Sequence, residues 1–187
     1  MKDTWAAIEE WLSKHAPEVL ADLQPAASAE AIHSAEATFG TALPAEMASS
    51  YGIHDGQRGG ASPLMGDWRL LSLDAGGKEW TTIKDLADSG TFEGTESDPD
   101  AQVADGWWHR GWLPVASNDS GDFLCVDIEP APGGTQGQII SFLHADPRRE
   151  LIAPGFKAWL EAFATDLQSG RATVQEGRIA LDSSDDG

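Results

Sequence analysis

The sequence of 187 residues has one cysteine, one tyrosine and few bases, 12 Lys plus Arg against 31 Asp plus Glu. One thiol cannot close an intramolecular disulfide, so packing alone must hold the fold. A chain of this length buries roughly 70% of its unfolded surface and needs no covalent or metal staple. Cys125 lies in FLCVDI, an apolar strand-like run with acidic neighbours, and reads as a buried, inert thiol. The shortage of bases leaves a net charge of −19. Phosphate backbones and anionic membranes are contacted through Lys and Arg, so neither nucleic acid nor membrane is an expected partner. A basic protein is the partner such a surface attracts and steers. Long apolar runs are missing too: none approaches the ~18–20 residues that cross a bilayer. Asp3, Glu9 and Glu10 interrupt the stretch that a secretory leader would need, which points to a cytoplasmic protein.

Catalytic and metal-binding patterns are equally scarce. His33 and Glu36 are three apart on one predicted helix face and could share a metal, but no second matching pair completes a site. His54-Asp55 lacks the further spaced ligands of metal-dependent phosphohydrolases. NDSGD (118–122) superficially matches a calcium loop, yet predicted strands flank it and its residues are those of a tight hairpin. PGGTQGQ has glycines but no following helix or Lys-Ser/Thr, so it is a turn and not a phosphate cradle. The expectation is a protein with no catalytic residues, no cofactor and no metal.

What is present is periodicity. Trp5, Ile8 and Leu12 are spaced for one helix face, and Pro17 restarts a short helical turn. Ser28 reads as the cap of a helix that Gly40 ends, and Pro44 opens another running toward Gly56. WRLLSL (68–73) reads as a strand, and EWTTIKDLADSG as a short helix closed by Gly90. Residues 93–106 carry Glu93, Glu96, Asp98, Asp100 and Asp105 without a base and read as an exposed acidic loop. WLPVAS, DFLCVDIE and GQIISFL, separated by turns, predict an antiparallel meander. A helix with Phe156, Trp159, Leu160, Phe163 and Leu167 on one face follows. The fold class is therefore α+β, a central antiparallel sheet with N-terminal helices and a C-terminal helix against it. One domain spans 1–170, and the acidic residues 171–187 read as a loosely held tail.

In order along the chain, Leu43-Pro44, His54-Asp55-Gly56, Trp112 with Pro114, Asn118 to Asp122, Asp127 with Pro130, and Gly137-Gln138 form a specific series. Over roughly residues 4–167 the chain resembles the SUKH superfamily. Within it, the chain is most similar to the Smi/Knr family of yeast cell-wall-synthesis regulators, which has many bacterial members. The resemblance implies a non-catalytic fold. Bacterial relatives imply an immunity protein that neutralises a cognate toxin; fungal ones imply a regulatory or scaffolding module binding an endogenous protein. Of these the immunity role is the leading expectation, with a basic toxin domain as partner. The 93–106 segment and the acidic tail depart from the family pattern.

Trp107, Trp108 and Trp112 could either cap the sheet or form a recognition patch, since large aromatics dominate interface energies. With the acids of the neighbouring loop and of the NDSGD turn, they define a candidate partner-binding surface of Asp98, Asp100, Trp107, Trp108, Trp112, Asp119 and Asp122.

Overall fold

The first helix, α1 (Lys2–His15), turns Trp5, Ile8 and Leu12 inward at the helical spacing seen in the sequence. Pro17 lacks the N–H that would continue it and instead opens α2 (Pro17–Asp22). Ser28 caps α3 (Ala29–Phe39) by accepting the N–H of Ala31 at 3.1 Å, and Gly40, at φ 72°, ends it. Pro44 stands just before α4 (Ala45–Tyr51), which stops at Tyr51 and does not reach Gly56. The computed structural model describes residues 1–181.

The expected strand over 68–73 shrinks to β1 (Arg69–Leu70) because a helix begins sooner than the sequence suggests. In α5 (Leu73–Asp88) the Ser72 hydroxyl accepts from Ala75 N–H at 3.1 Å, and Asp55 Oδ1 accepts from Leu73 N–H at 2.8 Å. Two adjacent glycines, Gly76 and Gly77, disguise this helix start. The reason for Gly76 is tertiary: a Cβ there would stand 2.6 Å from the Pro114 carbonyl oxygen.

After β2 (Asp98–Pro99) comes the expected meander, β3 (Trp112–Ser117), β4 (Phe123–Asp127) and β5 (Gln138–Phe142). β6 (Arg148–Arg149) and β7 (Leu151–Ala153) follow, then α6 (Phe156–Gln168). The main sheet has five antiparallel strands in the order β1-β3-β4-β5-β7. β2 and β6 form a separate parallel pair, with Asp98 opposite Arg148. Asn118 Oδ1 accepts the N–H groups of Ser120 and Asp122, so NDSGD is the β3–β4 turn.

Both faces of the sheet are covered. Leu113, Val115, Leu124, Val126 and Ile139 pack against α1, α4 and α6. Trp112, Phe123, Cys125, Ile140 and Phe142 pack against Ile83 and Val103 on the other face. That is why β3, β4 and β5 are buried along their whole length and do not alternate.

The loosely held tail expected from 171 onward gives way to a hairpin, β8 (Ala172–Gln175) and β9 (Arg178–Leu181). Ile179 is 1% exposed and joins the core beside α6, since alternation lets the hairpin bury one face. Residues 182–187 of that tail lie outside the described residues.

Candidate functional site

The second face of the sheet is roofed by residues 92–108, which include the 93–106 segment expected to be an exposed acidic loop. Phe92, Val103, Trp107 and Trp108 pack over Trp112, Phe123, Cys125 and Phe142. Its carboxylates point outward, Glu93, Glu96, Asp98, Asp100 and Asp105 all being exposed. Among the described residues none of these acids has a salt-bridge partner, whereas most bases elsewhere are paired with a carboxylate. The roof therefore carries five exposed carboxylates outside any salt bridge among the described residues, with Arg148 across from Asp98 as the base beside them.

Arg149 fastens the roof to the sheet. It is fully buried, and no carboxylate pairs with it among the described residues. Its Nε and Nη2 donate to the Trp107 carbonyl at 3.2 and 2.9 Å, and its Nη1 donates to the carbonyls of Asp146 and Arg148 at 2.6 and 2.7 Å. The guanidinium lies 4.7 Å from the Trp107 ring centroid and 4.8 Å from that of Phe142. Burial pulls its pKa down to about 10, against the field of the Asp146 carboxylate. Nothing local in DPRRE distinguishes Arg149 from the exposed Arg148 beside it; Arg149 lies in β6, paired with β2, and is buried.

A polar knot grips the roof from the other end. Asp127 is fully buried and accepts from Glu129 N–H at 3.0 Å and from Gln138 Nε2 at 2.9 Å. Gln138 Nε2 also donates to the Gln102 carbonyl at 2.9 Å. Burial raises the Asp127 pKa despite those bonds. The Cys125 thiol beside it is pushed up by burial and by the Asp127 charge, which leaves it inert.

Each expected binding residue can now be placed. Trp112 is 0% exposed and belongs to the second core, so the expectation that it meets a partner is corrected: the roof covers it. Trp108 is half-buried, edge-on to Trp80 at 6.0 Å, and Trp107 is half-buried against Arg149 and Phe92. The Nε1 atoms of Trp108 and Trp112 are buried without an acceptor among the described residues. Asp100 is exposed, but its Oδ2 accepts the N–H of Leu151 at 2.8 Å, which blunts the edge strand β7. Asp122 accepts from His144 N–H at 2.9 Å and from Asn118 Nδ2 at 2.8 Å, and it braces the turn. Burial works against its ionisation, yet those bonds hold its pKa below the usual carboxylate range. Asp119, at φ 59°, pairs with Arg69 at 3.3 Å. Among the described residues the Asp98 side chain makes no hydrogen bond or salt bridge, although Arg148 stands opposite it in the β2–β6 pair.

The turn and the roof do meet at one end of the sheet. Asp122 holds His144, and three residues on, the Pro147 carbonyl accepts from Asp98 N–H at 2.8 Å. Trp112 stands at the opposite end of β3, across from Asp127, so it does not join that patch.

The sequence profile of the SMI1 / KNR4 family (SUKH-1) matches residues 26–162. The chain belongs to this family. Three of the residues that carry the resemblance serve the fold: Asp55 takes the first N–H of α5, a Cβ on Gly56 would strike the Leu71 backbone at 2.4 Å, and Gln138 ties Asp127 to the roof. Among family relatives, the cell wall biosynthesis/cell cycle regulator smi1 of Schizosaccharomyces pombe is 25% identical, over 97% of this chain and 39% of its own length. The cell wall assembly regulator SMI1 of Saccharomyces cerevisiae is 26% identical, over 89% of this chain and 40% of its own. The glucan synthesis regulatory protein of Neurospora crassa is 25% identical, over 92% and 39%. The chain thus spans about two-fifths of the length of these relatives. They are named as regulators and not as enzymes, and none bears the name of an immunity protein. No helix among the described residues is long and apolar enough to cross a membrane.

Proposed function

We propose that this chain is a non-catalytic, protein-binding regulatory module that engages a basic endogenous partner through the acidic roof over the second face of its sheet. The regulator names of its SMI1 / KNR4 relatives carry the regulatory half of this reading. The charge half rests on Glu93, Glu96 and Asp98, exposed acids with no salt-bridge partner among the described residues. Unpaired surface carboxylates on an ordered segment raise the encounter rate with a cation-bearing partner and make it salt-dependent. The immunity reading, in which the partner is a basic toxin domain, draws on the same charge and on the resemblance to bacterial family members, and stands second. Both readings place the protein in the cytoplasm.

The test is affinity capture from extracts of the native cell, with the wild type and with a triple variant, Glu93→Gln, Glu96→Gln and Asp98→Asn. Mass spectrometry should identify an endogenous basic protein that is retained at low salt, released at high salt and depleted with the variant. Recovery of a secreted toxin's terminal domain would favour the immunity reading. Equal recovery of the same proteins by both baits would remove the roof from the interface.

A further inference from the structure

Protein interfaces need an apolar centre as well as a charged rim, and the roof offers little of one. Trp112 is covered, Trp108 is turned against Trp80, and one face of Trp107 is occupied by Arg149. Leu86 is exposed on α5 beside the roof, and further apolar surface lies around the corner of the sheet. Of the four large hydrophobic side chains exposed among the described residues, Ile152 (42%) and Leu181 (36%) line one groove of about 470 Å³ between β7 and α6. Its walls include Trp68, Leu143, Trp159 and Phe163, and its polar lining is Ser141, Glu150 and Asp166, two acids and no base. The groove is contiguous with the acidic roof: Asp98 lies opposite Arg148, Arg148 pairs with Glu150 at 3.5 Å, and Glu150 is on the groove wall.

We propose that this groove holds the apolar face of a cationic amphipathic segment of the partner protein, whose basic residues lie along the roof. This rests on the proposed function above and supplies its missing anchor. Charge complementarity selects this occupant. Residues 182–187, DSSDDG, contain no apolar side chain that could fill an apolar groove, and they are acidic like its polar lining. A second copy of the chain would bring its own net −19 against the first. Glu150 and Asp166 each already have an arginine neighbour, Arg148 and Arg171, so the pull on the segment comes chiefly from the unpaired acids of the roof.

The probe is a 14-residue leucine–lysine peptide of helical period, with a leucine–glutamate peptide of the same pattern as control. Binding is followed by NMR of the isoleucine and leucine methyl groups. The leucine–lysine peptide should shift the Ile152 and Leu181 methyl signals saturably, and the control should not. Ile152→Ser and Leu181→Ser, both at half-exposed positions, should each weaken binding about tenfold or more, on the scale of a lost interface anchor. Their melting temperatures should stay near the parent's. The roof variant Glu93→Gln/Glu96→Gln/Asp98→Asn should weaken binding several-fold and flatten its salt dependence, with the same methyls still shifting. Undiminished binding to both groove variants, or shifts confined to other methyls, would overturn the groove. Loss in the groove variants with no effect of the roof variant would uphold the groove while overturning the acidic-roof reading.

Discussion

Arg149 holds Trp107 twice, by donating two N–H groups to its carbonyl and by laying its guanidinium 4.7 Å from its ring centroid. A buried cation satisfied by carbonyls and aromatic faces is costly to desolvate, and its removal would leave three part-buried carbonyls, those of Trp107, Asp146 and Arg148, without this donor. Arg149→Ala should cost about 3 kcal/mol or more, at about 1–3 kcal/mol for each stranded buried polar group. Arg149→Lys should recover only part of this, because an ammonium cannot make the planar two-bond grip. Urea unfolding gives the answer, and an alanine variant within about 1 kcal/mol of the parent would contradict the fastening role.

Asp127 predicts a pH effect whose sign is fixed by its surroundings. Burial raises its folded pKa above the ordinary 3.8. A carboxyl raised on folding contributes stability that is full below about 3.8 and is lost as pH rises through the folded value. In Asp127→Asn that titration is absent, and the new amide also sets a donor against the donors of Glu129 and Gln138. The variant should be less stable by about 1–3 kcal/mol at pH 7. The gap between parent and variant should widen as pH falls from about 7 toward 4. A gap that narrows on acidification would refute the assignment.

Gly76 and Gly77 should respond oppositely to alanine. Helix propensity favours alanine at both positions by up to about 1 kcal/mol. At Gly76 the added Cβ meets the Pro114 oxygen at 2.6 Å, so the helix or β3 must shift, at a cost of about 1–3 kcal/mol. At Gly77 it reaches Thr38 Cγ2 at 3.4 Å, an ordinary contact, and the substitution should be neutral to stabilising. Paired thermal melts decide this.

The C-terminal hairpin should matter to stability. Ile179, 1% exposed, closes the core beside α6, and Ile179→Ala should cost about 2–4 kcal/mol. Ending the chain after Gly170 should lower the melting temperature at least as much. A truncated chain that melts with the parent would restore the loosely held tail.

The sequence by itself determined the elements whose signals are local. The i, i+3, i+4 spacing of Trp5, Ile8 and Leu12, the Ser28 cap, the NDSGD turn and the face of α6 depend on near neighbours along the chain, and each is where the sequence placed it. The excess of acid was legible in the same way, because net charge is a sum that needs no coordinates. What the tertiary structure decided was which charges and aromatics remain outside. Trp112 is covered because residues 92–108 lie over the second face, and Arg149, in β6 paired with β2, is buried. Gly76 stands in a helix because of Pro114, 38 positions away in sequence. Ile152 and Leu181 come to one groove from opposite sides of α6. Burial is a relation between segments distant in the chain, and one-dimensional periodicity reports a face without naming what will cover it.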